Sequence, residues 1–214
     1  MSNDDNSLTR DEGYIKFQCH WNEEPHQLDS ESESALDELI SFRQKFYELN
    51  LIGAYPDGIG FGNISKILSN GEMLISGSAT GNYKDATAEH FSRVTECRIN
   101  SNEVFCKGPV IASSESMTHQ MIYQLSEDIK VVVHVHHPEL WEQYKFKIPT
   151  TGEDVPYGTP DMANEILRLY RVDKLKQTKC LAMAGHEEGL IAFGKDFEEV
   201  YQLYSGLMTS KLEM

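Results

Sequence analysis

The sequence predicts a single α/β domain, and three observations carry this prediction. The chain has 214 residues, of which 40% are hydrophobic and 25% are charged, as in a globular protein with one continuous core. Apolar residues recur at helical spacing in some segments and form alternating or β-branched runs in others. No internal repeat and no low-complexity linker divides the chain. We therefore expect helices and strands to share one core.

The N-terminal part predicts an acidic arm followed by a helix. Residues 1–12 are polar and acidic, and we expect them to be poorly ordered. "GYIKFQCHW" then predicts a short strand or an ordered arm. We place a partly ordered arm at 1–34 and the main domain at 35–214. One buried helical face is predicted by Leu36, Leu39, Ile40, Phe42, Phe46 and Leu49.

The middle of the chain predicts a β-meander, which begins after the Gly/Pro-rich break "LNLIGAYPDGIG". Its strands are expected in "GIGFGNISKIL", "GEMLISGSATG", "HFSRVTECRI" and "EVFCKGPVIAS". A helix follows, capped by Ser113 or Ser114. Its apolar face contains Met117, Met121, Ile122 and Leu125.

The last third predicts a buried strand in "KVVVHVHH" and then a helix in "YGTPDMANEILRLYRV". Thr159 is the expected N-cap of this helix, with Pro160 in its first turn. Two short strands around a loop are predicted in "KCLAMAGHEEGLIAFG", and a closing helix in "KDFEEVYQLYSGLMTSKLEM".

The composition excludes several classes of protein. A net charge of −15 leaves no basic stripe for nucleic acid. No apolar run approaches the roughly 18 residues of a membrane helix, and the N-terminus lacks the pattern of a secretory signal. The cysteines are scattered without a CxxC pair, as expected of reduced thiols: Cys19, Cys97, Cys106 and Cys180. We expect a cytoplasmic protein without nucleic-acid or membrane partners.

The segment "VVVHVHH" carries the strongest chemical signal. Side chains alternate along a strand, so His134 and His136 share one face and His137 points to the other. Two imidazoles are half of a transition-metal site, or only the polar end of a strand. His186, beside a Gly-bearing turn, is the candidate third ligand. The other histidines are expected to be packing, surface or arm residues: His20, His26, His90 and His119.

Three further motifs could bind an anion. Ser113, Ser114 and Glu115 lie at a strand-to-helix junction, where backbone N–H groups and hydroxyls can cradle a phosphate. Glu115 either favours the helix dipole or acts as a general base. Two glycine-containing loops add further donors. They are "GFGNIS", with Gly60, Gly62 and Asn63, and "SGSATGN", with Ser76, Gly77, Ser78, Thr80 and Gly81.

In this order the motifs resemble the class II aldolase/adducin family, of the fuculose-phosphate aldolase type. The matching segments are "GNIS" (62–65), "SGSATG" (76–81), "SSE" (113–115), "HVH" (134–136) and "GHEEGLIAFG" (185–194), within about 35–208. The resemblance implies a three-layer α/β/α fold around a mixed, mainly antiparallel sheet. It also implies a homotetramer with active sites between subunits.

The resemblance further implies roles for single residues. His134, His136 and His186 would bind zinc or another divalent transition metal, and Glu115 would be the acid/base, which also touches the metal when no substrate is bound. A phosphate pocket would use Asn63 and Gly62, Ser113 and Ser114, and one of the pairs Ser76–Gly77 and Thr80–Gly81.

The sequence departs from the family at three places. Glu187 and Glu188 separate His186 from Gly189, where the family has an immediate His–Gly pair. The segment between His137 and Thr159 is short, which leaves Tyr144 and Tyr157 as candidates for the tyrosine that the family supplies from a neighbouring subunit. The "SGSATG" loop is longer than its family counterpart.

The implied activity is cleavage of a ketose, with a sugar 1-phosphate as the expected substrate class, to dihydroxyacetone phosphate and an aldehyde through a metal-stabilised enediolate. Glutamate at position 115, where related 4-epimerases have aspartate, favours the aldolase. The alternatives are a 4-epimerase or dehydratase on the same scaffold, and a non-catalytic adducin-like scaffold.

Overall fold

The computed structural model describes residues 13–210, so the expectations for residues 1–12 and 211–214 lie outside it. Within residues 13–210 there are ten strands. They are β1 (Gln18–Glu23), β2 (Gly53–Ala54), β3 (Gly60–Phe61), β4 (Asn63–Ile67), β5 (Met73–Ser76), β6 (Phe91–Arg98), β7 (Glu103–Gly108), β8 (Val131–His136), β9 (Cys180–Ala182) and β10 (Gly189–Gly194). The helices are α1 (Ser30–Glu48), α2 (Ser116–Tyr123), α3 (Pro138–Tyr144), α4 (Pro160–Val172), α5 (Leu175–Thr178) and α6 (Phe197–Thr209).

The described strands form a mixed, mainly antiparallel sheet of eight strands in the order β1-β7-β6-β5-β4-β8-β10-β9. β1 runs parallel to β7, and every other described pair in this sheet is antiparallel. A separate hairpin is formed by β2 and β3. The predicted β-meander is confirmed in β4 to β7, which are neighbours in chain order.

Helices cover both faces of the sheet, which confirms the three-layer α/β/α architecture. Along β8, Val132 faces the core formed with α2 and α4, whereas Val131 and Val133 face the core formed with α1, α3 and α6. Each face therefore buries one side of the same β-branched strand. This arrangement makes β8 a buried central strand, as its sequence predicts.

The predicted helices differ from the observed ones mainly at their ends. On the predicted apolar face of α1, Leu36, Leu39 and Phe46 are buried, whereas Ile40, Phe42 and Leu49 are half-buried. Thr159 caps α4 as predicted, because its Oγ1 accepts a hydrogen bond from Met162 N at 3.3 Å. The predicted cap of α2 was wrong. Glu115 occupies the N-cap position without a side-chain capping bond, and Ser113 Oγ instead accepts from Glu115 N at 3.2 Å.

Helix α3 was not predicted. It has seven residues, too few for a helical repeat to stand out in the sequence. His137 caps it by accepting from Leu140 N through Nδ1 at 3.3 Å, in keeping with its position on the opposite face from His136. The division of the chain after residue 34 stays a prediction. No helix within residues 13–210 is long and apolar enough to cross a membrane.

Candidate metal centre

Three histidine rings meet where β8 ends and β10 begins. His134 and His136 lie on one face of β8, and His186 lies in the loop between β9 and β10. Nε2 of His136 is 2.9 Å from Nε2 of His134 and 3.1 Å from Nε2 of His186. All three side chains are buried, and their candidate ligand atoms lie within 4.8 Å of one another. The structure thus brings the predicted ligand set together.

A glycine makes room for this convergence. Gly189 pairs with His136 across the antiparallel β8–β10 ladder. A Cβ atom at residue 189 would lie 2.9 Å from His186 O, 3.0 Å from His186 Cδ2 and 3.1 Å from His134 Cε1. Any larger residue would therefore displace two of the rings. The two glutamates that lengthen this turn still leave the glycine beside the histidines.

The ring of His134 is oriented by the hydrogen bond that its Nδ1 atom makes. Nδ1 of His134 lies 3.2 Å from Leu190 O. A carbonyl oxygen only accepts hydrogen bonds, so Nδ1 carries the proton and donates. In the neutral ring, Nε2 is then left with its lone pair directed at the other two histidines.

The ring of His136 is oriented by two residues that were not among the predicted site residues. Tyr55 Oη lies 2.8 Å from His136 Nδ1 and donates to Glu188 Oε2 at 2.7 Å. Because the single hydroxyl proton goes to the carboxylate, His136 Nδ1 must be the donor to Tyr55. The lone pair of His136 Nε2 therefore also points inward. Glu187, by contrast, is exposed.

The two inward lone pairs give a test of whether the site fits a metal. Nε2 atoms of His134 and His136 that both accept would repel each other at 2.9 Å unless a cation lies between them. Burial lowers the pKa of His134 and of His186, in the latter with help from His134 and Lys16, which favours the neutral rings that ligate metals. Three neutral imidazoles are a donor set that zinc and similar ions prefer. The residues therefore fit the implied ion.

Glu115 lies beside the three histidines. Its Oε2 is 3.2 Å from His134 Nε2 and accepts from Asn63 Nδ2 at 3.0 Å. The residue is 2% exposed. Its Oε1 and the Oδ1 of Asn63 are buried without a hydrogen-bond partner among residues 13–210. Buried acceptors of this kind are costly unless a proton donor or a cation reaches them.

The predicted anion-binding segments lie near Glu115 and the histidines, and several of their hydroxyls already make hydrogen bonds within the fold. Ser76 Oγ accepts from Ile64 N at 3.1 Å, and Thr80 Oγ1 donates to Gly77 O at 2.8 Å. Ser114 is buried and its backbone oxygen packs against Gly158. Gly62 has a φ of 74°, a conformation that favours glycine.

Arg43 supports the "SGSATG" loop and was missed in the sequence. Its Nη2 donates to Thr80 O at 3.1 Å and to Gly81 O at 3.0 Å, and its Nη1 donates to Lys84 O at 3.1 Å. Burial lowers the pKa of Arg43 to about 10, so the guanidinium is still charged at neutral pH. An arginine in a helix gives no local sign that it holds carbonyls about 40 residues away.

Tyr157 packs on the third histidine. Its ring centroid is 4.4 Å from that of His186, and the side chain is 2% exposed. Tyr144 lies on the other side of the sheet, where its hydroxyl donates to Leu207 O at 3.2 Å. Of the two candidate tyrosines, the structure therefore places only Tyr157 beside the three histidines within one chain.

The N-terminal arm reaches the same place. Ser78 Oγ donates to Gly13 O at 3.1 Å, and Tyr14 N donates to Tyr157 Oη at 3.1 Å. Lys16 Nζ lies 3.5 Å from the centroid of the Tyr157 ring. Nothing local in "GYIKF" indicates these contacts, which join residues more than 60 positions apart in the chain.

The remaining histidines do not join the metal site. His119 is fully buried, and its Nδ1 lies 2.7 Å from Ser65 Oγ. Burial, with a smaller effect of His134, lowers the pKa of His119 to about 3. His20 contacts Glu103, His26 contacts Ala88 O, and His90 contacts Thr87. These positions agree with the packing and surface roles predicted for them.

The fold and the site can be compared with known proteins. An L-fuculose 1-phosphate aldolase is similar with a TM-score of 0.60 and 19% identity, over 86% of this chain and 91% of the other. YgbL from Klebsiella pneumoniae, a candidate aldolase, epimerase or decarboxylase, is similar with a TM-score of 0.59 and 18% identity, over 82% and 85%. The L-fuculose 1-phosphate aldolase from Glaciozyma antarctica PI12 gives 0.54 and 14%, over 87% and 78%. At these identities the likeness shows the fold.

The family comparison goes further than the fold. Residues 38–210 match the "Class II Aldolase and Adducin N-terminal domain" family, a span that contains all three histidines and Glu115. The ordered motifs in the sequence and the three-layer fold point to the same family. The chain belongs to the class II aldolase and adducin family.

Proposed function

We propose that the protein is a metal-dependent lyase that cleaves a ketose, most simply a sugar 1-phosphate, to dihydroxyacetone phosphate and an aldehyde. The convergence of three buried imidazole Nε2 atoms beside a buried carboxylate carries this proposal. Membership of the family supports it, as do structural neighbours that are L-fuculose 1-phosphate aldolases.

His134, His136 and His186 would hold the ion, with zinc as the proposed metal. When bound, a divalent ion polarises a carbonyl and stabilises negative charge that develops on neighbouring oxygens. The protein's part is to bury the three rings and to orient them. Leu190 O orients the ring of His134, and the Tyr55–Glu188 pair orients the ring of His136.

Glu115 is the proposed acid/base. Asn63 holds one of its oxygens, and Oε1 has no partner among residues 13–210. That oxygen could give a proton to the carbon that retains the electron pair when the substrate C–C bond breaks. Neighbouring residues Ser113 and Ser114, with Gly62 and Asn63, are the proposed phosphate cradle, together with the "SGSATG" loop.

A second candidate function uses the same class of substrate in a different reaction, either a 4-epimerisation or a dehydration. The similarity to YgbL favours keeping it, because aldolase, epimerase and decarboxylase are all candidates for that protein. A non-catalytic, adducin-like scaffold is less well supported. The facing lone pairs of His134 and His136, and the buried Glu115 Oε1 without a partner among residues 13–210, are costly to bury unless a ligand uses them.

The proposal extends to assembly and location. We propose a homotetramer with active sites between neighbouring subunits, as the family resemblance implies, and a cytoplasmic protein of carbohydrate metabolism. Sedimentation equilibrium would measure the assembly. A monomer at micromolar concentration would contradict the tetramer.

The test of the function has two measurements. Purified protein supplied with zinc should retain about one ion per chain by mass spectrometry, and ketose 1-phosphates should then be screened for release of dihydroxyacetone phosphate. Glu115→Gln should keep its zinc and lose about 100- to 10,000-fold in kcat on any substrate found. Glu187→Gln, which changes an exposed carboxylate in the neighbouring turn, is the matched control.

Each result has a clear consequence. Less than a tenth of an ion per chain would reject the metal-dependent enzyme. Zinc binding with turnover of a sugar phosphate that releases no dihydroxyacetone phosphate would favour the epimerase or dehydratase. Full activity in Glu115→Gln would show that another residue moves the proton.

A further inference from the structure

The arm residues 13–16 form one wall of the proposed active site. Gly13 accepts from the Ser78 hydroxyl of the "SGSATG" loop, and Tyr14 N donates to Tyr157 Oη. The backbone oxygen of Lys16 accepts from Asn102 Nδ2 at 3.0 Å. Hydrogen bonds therefore hold residues 13–16 at both ends, and they fix the backbone position of Lys16.

The ammonium group of Lys16 lies over the ring of Tyr157, and this ring in turn packs on His186. Its Nζ lies 3.5 Å from the centre of the Tyr157 ring, and that ring packs 4.4 Å from the His186 ring. Lys16 is half-buried, so its charge is less screened than on an open surface.

The charges around the site indicate a role for Lys16 in binding an anion. Glu115 and Glu188 lie next to the ligand histidines, and as carboxylates they offset the two positive charges of a divalent ion. The whole chain carries a net charge of −15, so its overall field repels an anion. A further cation beside the site would therefore make the binding of an anionic group more favourable.

We propose that Lys16 binds an anionic group of the substrate, a carboxylate or a phosphate, on the His186 side of the site. The inference rests on the proposed function and narrows it to substrates that carry a negative charge there. An ammonium has three N–H donors, so it can contact the face of the Tyr157 ring and hydrogen-bond an anion at the same time. Tyr157 is then the positioning residue that holds the charge beside the ion.

Binding of small anions tests this directly. Isothermal titration calorimetry would measure the affinity of zinc-loaded and of metal-free protein for inorganic phosphate, for glycolate and for the neutral analogue glycolaldehyde. Lys16→Met keeps the apolar stem of the side chain and removes its charge, whereas Lys16→Arg keeps the charge. Lys145→Met is the matched control, because Lys145 Nζ also lies 3.5 Å from an aromatic ring, that of Trp141 on α3.

We expect Lys16→Met to weaken the binding of at least one of the two anions, phosphate or glycolate, roughly tenfold to a hundredfold. Glycolaldehyde binding should be unchanged, and Lys16→Arg should retain most of the anion affinity. Lys145→Met should behave as wild type. The anion that loses more affinity identifies the group that Lys16 binds.

Two outcomes would overturn the inference. They are anion affinities within twofold of wild type in Lys16→Met, and no measurable anion binding to the wild type in either metal state. Failure of the proposed function is separate, since it would appear as missing zinc or missing turnover. The metal-free titration still reports on Lys16 in that case.

Discussion

His136 shows how much of the site depends on residues behind the ligands. Its Nδ1 contacts Tyr55 Oη at 2.8 Å, and Tyr55 donates to Glu188 at 2.7 Å. The pair selects the ring form whose Nε2 lone pair faces the other histidines. The glutamate that departs from the family pattern therefore has a structural reason to be there.

Tyr55→Phe should weaken zinc binding about 10- to 100-fold, because the ring of His136 loses the acceptor that fixes its proton on Nδ1. Glu188→Gln should have a smaller effect in the same direction. Competition with a chromophoric chelator would measure the affinities. Glu187→Gln is the control and should match wild type, since that side chain is exposed. Equal zinc affinity in Tyr55→Phe and wild type would show that the contact does not orient the ligand.

Single-residue prediction from the sequence worked where the pattern is local. The HxH spacing on a strand places His134 and His136 on one face by geometry alone. His186 and Glu115 were candidates from their local sequence, and the family resemblance implied their roles. Tyr55 and Lys16 could not be found in this way. Tyr55 meets Glu188 from 133 positions away, and Tyr14 beside Lys16 meets Tyr157 from 143 positions away. Nothing in either segment specifies such a partner.

At the scale of elements, the loop at residues 76–81 is fixed by close backbone packing. A Cβ on Gly81 would lie 2.3 Å from Gly53 O and 2.7 Å from Phe61 N. The backbone of the β2–β3 hairpin thus leaves room for hydrogen only, and Arg43 binds the carbonyl oxygen of the same glycine. The hairpin, the loop and helix α1 form one unit next to the metal site.

Gly81→Ala should lower the free energy of unfolding by about 1–3 kcal/mol, because backbone atoms must move to admit the methyl group. Gly206→Ala in α6 is the control. A methyl group there would meet no atom within 4 Å apart from its neighbours in the helix, and it should raise stability by roughly 0.5–1 kcal/mol. Urea unfolding would measure both. An unchanged free energy of unfolding in Gly81→Ala would show that the backbone of the loop moves to admit the methyl group without loss of stability.

Elements with a long periodic pattern or a local cap were predictable, such as α1 and α4. The elements that the sequence did not predict are either short or depend on pairing with segments far away in the chain. Helix α3 has seven residues, and its apolar side is recognisable only from its packing against α6 and β10. Strand β1 pairs in parallel with β7, more than 80 positions later, and four of its six residues are exposed. Its alternation is therefore too weak to separate a strand from an arm.

At the scale of the whole molecule, buried histidines link stability to pH. Burial lowers the pKa of His119 to about 3 and lowers those of His134 and His186. Each titrates near pH ~6.5 in an unfolded chain. Below that pH the unfolded state binds more protons than the folded state, so stability present above pH ~6.5 is lost as the pH falls toward the folded-state pKa.

The free energy of unfolding of the metal-free protein should therefore fall between pH ~6.5 and 5, by up to about 1.4 kcal/mol per pH unit for each such histidine. Urea unfolding across this range would measure the slope. His119→Gln should reduce the slope by up to about 1.4 kcal/mol per unit while keeping a polar group for Ser65. An unchanged slope in that variant would mean that His119 is protonated in the folded state.

The order of the strands has a last consequence for motion. β8, which carries His134 and His136, is an interior strand of the sheet with fully buried residues, whereas β1, which follows Lys16, is an edge strand of the sheet formed by residues 13–210. Amide hydrogens of interior strands exchange with solvent only in rare, large openings, and edges open more often. The ligand side of the site and its Lys16 side therefore belong to regions of unequal local stability. If Lys16 binds an anionic group as proposed, the arm would open to release it while His134 and His136 keep their places.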